Sequence, residues 1–257
     1  MKTDERHRRI AEILRERSEV TVDELTVACE ASGATIRRDL EVLAGNGVLR
    51  RVHGGARSLI GRGENPGYGQ RELEDQETKK RIAAAVARLL QEREHVWLDS
   101  GSTATEVARA LSGKDLTVMP MSMRSLTVLT ADEATAGVRP GLLLPGGSLV
   151  PGELSFRGPL AESNIRSLRF DTAVVTPCAV DLKDGLLAHD LDDAAVKRAG
   201  LESAGRVVVA ASASKWDAHA RALVSGLARV DVLVTNKIFS AEERAHLDKY
   251  SLEVVTV

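Results

Sequence analysis

Apolar residues recur at helical spacing through the opening stretch of the chain, and short β-branched runs dominate the remainder. Ile10, Ile13 and Leu14 share one face of a helix predicted over Asp4–Arg17. After a turn through Ser18, Glu19 and Val20, a second helix begins at Thr21. Thr21-Val-Asp-Glu24 has the spacing of a capping box, in which the hydroxyl accepts from the Glu24 amide and the carboxylate reaches back to the Thr21 amide. That helix runs to about Cys29. Ser32 is placed to cap a third helix, where Ile36, Leu40 and Leu43 face inward and Thr35, Arg37, Arg38 and Glu41 face outward. Val48–Gly55 then reads as a β-hairpin.

Residues 58–70 break the pattern. Four glycines and a proline in thirteen residues disfavour any regular element, so a linker is expected there. A helix follows over Glu77–Glu92, with Ile82, Val86, Leu89 and Leu90 on one face. Strands are predicted at His95–Asp99, Leu116–Met119, Leu142–Pro145, Thr172–Thr176, Arg206–Ala211, Val232–Thr235 and Leu252–Val257. Most are separated by segments of helical period, and runs such as Val207-Val-Val-Ala-Ala are apolar on both faces. Both features indicate an α/β fold with a mostly parallel sheet covered by helices. The expected organisation is a helical head with a hairpin at 1–57, a linker at 58–70 and a larger α/β domain at 71–257.

Composition narrows the class. The 257 residues contain no apolar run near the roughly 20 that a membrane span needs, and the charged N-terminus has no signal-peptide core, so a cytoplasmic protein is expected. Two cysteines, Cys29 and Cys178, are too few for a disulfide framework or a four-ligand zinc site. Neither a metal nor a cofactor is expected. The net charge of -2 argues against coating nucleic acid through bulk positive charge. Between Ala31 and Arg62, however, six arginines meet only Asp39 and Glu41, which makes one compact basic patch on an otherwise acidic chain.

The patch falls on the third helix and the hairpin. A helix fits the major groove, and Arg37 or Arg38 can pair with the O6 and N7 of guanine. Thr35, near the helix start, can meet a phosphate or a thymine methyl. On the hairpin wing, Arg50, Arg51 and His53 are candidate phosphate contacts, and the glycines at 54 and 55 allow close approach to the sugar-phosphate backbone. In the α/β region, Ser100-Gly101-Ser102-Thr103 follows a strand and opens a helix. There, backbone amides, hydroxyls and the helix dipole converge on one anion, of which phosphate is the natural example. A mere helix cap is the plainer reading of those four residues. Lys197 and Lys215 are candidates to complete the site.

Residues 3–57, above all Ala34-Thr-Ile-Arg-Arg-Asp-Leu40 and Gly47-Val-Leu-Arg-Arg-Val-His-Gly-Gly-Ala56, resemble the winged helix-turn-helix of the DeoR family of bacterial regulators. The resemblance implies a sequence-specific DNA-binding module, usually a repressor, with the helix-turn-helix proper at about 20–39. Residues 70–257 resemble the family's sensor domain through Leu98-Asp-Ser-Gly-Ser-Thr103, Gly146–Gly152, Arg169-Phe-Asp171, Ala194–Arg198 and Ala213-Ser-Lys215. That domain is related in fold to ribose-5-phosphate isomerase and the coenzyme A transferases, and typically binds phosphorylated sugars. The resemblance places Asp99, Ser100, Gly101, Ser102 and Thr103 at the phosphate, with Lys197 and Lys215 as further site residues. Met119–Ser122 and Thr176–Asp181 depart from the family pattern, and both are expected to border the ligand and to make its pocket less polar.

Two function classes follow. The first is a repressor that binds operator DNA as a homodimer or homotetramer and is released by a small phosphorylated effector. The second is an isomerase- or transferase-like enzyme with an appended DNA-binding head, for which Asp99, Asp181 and Asp193 are the available general bases. The Thr176–Asp181 turn lacks the acidic glycine loop such an enzyme needs, so no catalytic residue is assigned.

Overall fold

The computed structural model describes residues 1–58, 67–131 and 139–257, in two compact units, Met1–Gln76 and Glu77–Val257. The first contains α1 (Thr3–Glu16), β1 (Glu19–Thr21), α2 (Val22–Ala28), α3 (Gly33–Gly45), β2 (Leu49–Val52), β3 (Gly55–Ser58) and α4 (Tyr68–Leu73). The Thr21–Glu24 capping box starts α2, and the Ser32 hydroxyl accepts from the Thr35 amide to start α3. Ile10, Leu14, Leu25, Ile36, Leu40 and Leu43 form one buried core with Val48 and Leu49 from the wing. Each such side chain contributes about 1.5–3 kcal/mol on leaving water.

Two features differ from the sequence expectation. The wing is three-stranded, because β1 joins β3 and β2 in the order β1-β3-β2. In addition, the end of the expected linker is ordered: Tyr68, Gly69 and Gln70 are buried in α4, while residues 59–66, with Arg62, lie outside the described residues. Gly69 fits there because a Cβ would lie 2.3 Å from the Asn46 carbonyl oxygen. Its glycine serves a close contact, not a break.

The second unit contains α5 (Gln76–Leu89), β4 (His95–Leu98), α6 (Ser102–Ala110), β5 (Thr117–Pro120), α7 (Met123–Thr130), β6 (Gly141–Leu142), β7 (Ser148–Leu149), β8 (Phe156–Arg157), α8 (Pro159–Arg166), β9 (Phe170–Val175), β10 (Ala179–Asp181), β11 (Gly185–Ala188), α9 (Leu191–Glu202), β12 (Ala204–Ala210), β13 (Ala222–Ser225), β14 (Val232–Thr235), α10 (Ala241–Leu247) and β15 (Glu253–Thr256). All seven strands expected from the sequence form one parallel sheet, ordered β15-β14-β12-β9-β4-β5-β6.

Alternation along the strands divides the interior into two cores. Val96, Leu98, Val118, Val174, Val208 and Val234 pack against α5 and α6. Trp97, Met119, Ala173, Val175, Val207 and Leu233 pack on the other face, against α9 and a small antiparallel sheet, β10-β11-β13. That sheet was not foreseen. Strand order reverses beside β4, since the chain proceeds from β4 to β5 and β6 on one side, and from β9 to β12, β14 and β15 on the other. In open α/β sheets the carboxyl ends of the strands at such a point border a crevice suited to ligands.

Candidate nucleic-acid interface and effector site

On α3, Arg37 and Arg38 are exposed, and among the described residues neither side chain has a hydrogen-bond or ion-pair partner. Neighbouring carboxylates are engaged elsewhere. Asp39 is buried and accepts from Arg6 (Nε 2.5 Å, Nη2 3.0 Å) and pairs with His7 Nε2 at 3.0 Å, which ties α1 to α3. Burial alone would raise the Asp39 carboxyl, but the hydrogen bonds from Arg6 and His7 outweigh it and hold the group below its ordinary value. Glu41 accepts from Arg51 Nη1 at 2.7 Å. The Thr35 hydroxyl lies 2.9 Å from that of Ser32 at the helix start.

The wing carries Arg50 and His53, both exposed and, among the described residues, without a side-chain partner. Gly54 takes φ +79° at the hairpin turn. Gly55 has an internal reason: a Cβ there would lie 2.2 Å from the Val20 carbonyl oxygen, where β1 meets β3. Its glycine is required by the packing of the head itself.

At the carboxyl edge of the parallel sheet, the loop after β4 begins with Asp99. Gly101 is the N-cap of α6, with φ +109°, and no side chain hydrogen-bonds to the cap. The helix-cap reading of Ser100, Ser102 and Thr103 is therefore not what the loop does. Thr105 N and Thr105 Oγ1 both donate to the Gly101 carbonyl, at 3.0 and 3.1 Å, which closes the first turn. Ser102 and Thr103 are buried at its start, and Ser100 is half-buried. Lys215 sits in a short 3₁₀ turn, Ala213–Lys215, that follows β12 on the same edge. Its charge reaches Cys178, in the loop after β9.

Asp99 and Lys197 occupy a different layer. Lys197 is 1% exposed, and its Nζ lies 2.8 and 2.7 Å from the two Asp99 oxygens and 3.3 Å from Asp193 Oδ1. An ammonium has three donors, and these carboxylate oxygens take them. Asp99 also accepts from the Ser100 amide at 2.7 Å and the Thr176 amide at 2.9 Å. Burial alone would lower the Lys197 ammonium, but Asp193 and Asp99 together raise it above the ordinary lysine value. The pair fixes α9 to the loop after β4, and Asp99, through the Thr176 amide, joins that loop to the one after β9 at the point where strand order reverses.

Thr176 completes that tie by donating its hydroxyl to the Ser100 carbonyl at 2.7 Å. Arg157 extends the network, donating to Asp190 at 2.7 Å and standing 3.8 Å from Asp193. Arg157 carried no sequence signal, because it acts through partners that are distant in the chain. Met119 and Met121 are 1% exposed and belong to the core. Cys178 places Sγ 3.5 Å from Asp193 Oδ2, and burial pushes its thiol up to about 11, far from reactive thiolate character.

The carboxylates required by an enzyme are occupied. Asp99 and Asp193 hold Lys197, and Asp181 Oδ1 accepts from the amides of Lys183 and Asp184 in a turn. Comparison with known proteins points the same way. A family model described as the DeoR C terminal sensor domain matches residues 74–237, and one described as the DeoR-like helix-turn-helix domain matches residues 6–60. The HTH-type transcriptional regulator GlpR of Haloferax volcanii is 32% identical, covering 98% of this chain and 96% of its own length. The transcriptional repressor AccR of Agrobacterium fabrum is 33% identical over 91% and 90%, and the glycerol-3-phosphate regulon repressor of Haemophilus influenzae is 30% identical over 93% and 91%. Ribose 5-phosphate isomerase A of Methanocaldococcus jannaschii overlaps 56% of this chain and 55% of its own, at 15% identity and a TM-score of 0.41.

Helix-turn-helix, wing and sensor together define a DNA-binding transcription regulator, not an enzyme. The chain belongs to the DeoR family.

Proposed function

We propose that the protein is a cytoplasmic repressor that holds its operator as a homodimer or homotetramer and releases it when a small phosphorylated metabolite binds the α/β unit. Arg37 and Arg38 read base edges, Thr35 meets the backbone at the start of α3, and Arg50 and His53 contact phosphates from the wing. Two recognition helices set about one DNA turn apart engage a roughly palindromic site. Among the described residues no helix is long and apolar enough to cross a membrane.

The observation that carries the effector reading is the start of α6. Its N-cap is a glycine with no side-chain cap, at the carboxyl edge beside the reversal in strand order. Amides and the helix dipole there suit a phosphate, with Ser100, Ser102, Thr103 and Lys215 around it. Asp99 and Lys197 act from beneath, fixing the loop. The name of the Haemophilus influenzae relative, a glycerol-3-phosphate regulon repressor, supports a phosphorylated polyol or sugar as the ligand class.

The test combines thermal unfolding and gel shift with glycerol 3-phosphate, a panel of hexose and pentose phosphates, and their unphosphorylated counterparts. A ligand raises the melting temperature as it binds the folded state and lowers operator affinity by a coupling of about 1–3 kcal/mol. Response only to unphosphorylated compounds, or loss of response in a Lys197 variant but not on Gly101→Ala, rejects the phosphate loop.

A further inference from the structure

Of the basic residues on α3 and the wing, Arg51 and Arg57 are paired with carboxylates, whereas Arg37, Arg38 and Arg50 have no side-chain partner among the described residues. Glu41 lies three and four positions beyond Arg38 and Arg37 on α3 and is exposed, so it shares the helix face that those arginines present. A bare carboxylate there repels DNA phosphates and cancels part of the attraction the arginines supply. Arg51 Nη1 stands 2.7 Å from Glu41 Oε1.

Arg50 and Arg51 are neighbours in β2, and successive side chains of a strand point to opposite faces. Arg50 is opposite Arg57 in the pairing of β2 with β3, and Arg57 in turn donates to Glu19 at 2.8 Å. The two adjacent arginines therefore have different surroundings: Arg51 meets the recognition helix, and Arg50 lies on the other face of the wing.

We infer that Arg51 is a positioning residue that serves DNA binding by neutralising Glu41 and fixing the wing to α3, and that Arg37, Arg38 and Arg50 are the cations that meet the nucleic acid. This rests on the reading that α3 and the wing face DNA. Arg51 and Glu41 are both exposed, so their replacement leaves the core intact.

The experiment measures the affinity of the full-length protein for a duplex selected by the wild-type chain from a random-sequence pool, across a salt series. The proteins are wild type, Arg50→Ala, Arg51→Ala, Glu41→Ala and the Glu41→Ala/Arg51→Ala double variant. Arg51→Ala weakens binding by roughly three- to tenfold in the wild-type background and has no effect once Glu41 is alanine. In the Glu41→Ala background the salt slope does not change on loss of Arg51, whereas Arg50→Ala lowers the slope by about one. If Arg51→Ala weakens binding equally in both backgrounds and lowers the slope by about one, Arg51 contacts phosphate and the inference is wrong. If Arg50→Ala changes neither affinity nor slope, the wing does not face DNA and the inference falls with that reading, a result distinct from the first.

Discussion

Lys197 on α9 and Asp99 at the end of β4 form an ion pair at 2.7 Å in which both side chains are almost wholly out of solvent. Breaking one member of such a pair leaves an uncompensated charge in the interior. Lys197→Met is therefore expected to destabilise the α/β unit by about 3–5 kcal/mol, read by urea unfolding of the full chain. Burial already raises the Asp99 carboxyl, with Lys197 opposing that rise, so removal of the ammonium moves the group further up. A carboxyl raised in the folded state loses stability as the pH rises through its folded value. The deficit of the variant should therefore shrink as the pH is lowered from 7 toward 5. A deficit independent of pH contradicts this account, and Asp99→Asn combined with Lys197→Met should recover part of the loss.

Asp39 makes the opposite prediction about acid. Its carboxyl is held below the ordinary value by Arg6 and His7 against the effect of burial, so its contribution is present above about pH 4 and fades as the pH falls through the folded value. Asp39→Asn is expected to cost the head roughly 2 kcal/mol near neutral pH, because Arg6 and His7 lose the carboxylate charge and one of its two acceptor oxygens. Hydrogen exchange of the α3 amides reads this directly. Protection should fall in the variant near neutral pH, and the difference from wild type should narrow below pH 4. Equal protection at pH 7 would show that the link from α1 to α3 contributes nothing.

The seven parallel strands were legible because strands buried on both faces appear as unbroken apolar runs, Val207 to Val209 most plainly. Strands β10, β11 and β13 are three or four residues long, and the pairing of Leu187 with Leu223 spans too much chain to leave a local pattern. Glycine was misleading at position 69, which lies in a helix, and the internal contact that requires glycine at 55 left no local pattern. Lysine type alone did not separate Lys215 at the sheet edge from Lys197, whose partner Asp99 is 98 residues away. The arginines of α3 were readable because they sit opposite an apolar stripe within one helix.

Glu30 stands in the turn between α2 and α3 with φ +49°, a left-handed conformation that burdens any side chain with a Cβ. It is exposed, and glycine adopts the same conformation freely, offset in part by the greater entropy that glycine loses on folding. Glu30→Gly is expected to stabilise the head by about 0.5–1 kcal/mol, raising the protection of α2 and α3 amides without altering operator affinity. A fall in protection would mean that the turn relies on the Glu30 side chain.

Gly200 sits within α9, where helix propensity alone favours alanine by about 1 kcal/mol. Packing reverses that preference. A Cβ at Gly200 would lie 2.6 Å from two ring carbons of Trp97, a fully buried residue at the centre of the sheet with no room to withdraw. Forcing an extra carbon into such a site costs about 1–3 kcal/mol, and here the contact is with a rigid ring, so Gly200→Ala is expected to destabilise on balance. Trp97→Val supplies the control, since it removes the ring carbons that stand nearest α9 together with an indole N–H that has no partner among the described residues. The Gly200→Ala deficit should be smaller in the Trp97→Val background than in wild type, a coupling that chemical unfolding followed by circular dichroism measures in both backgrounds. If the deficit is the same in both, something other than the Trp97 ring excludes the methyl group. If Gly200→Ala stabilises the wild-type chain, the helix shifts away from the sheet more easily than its buried packing implies.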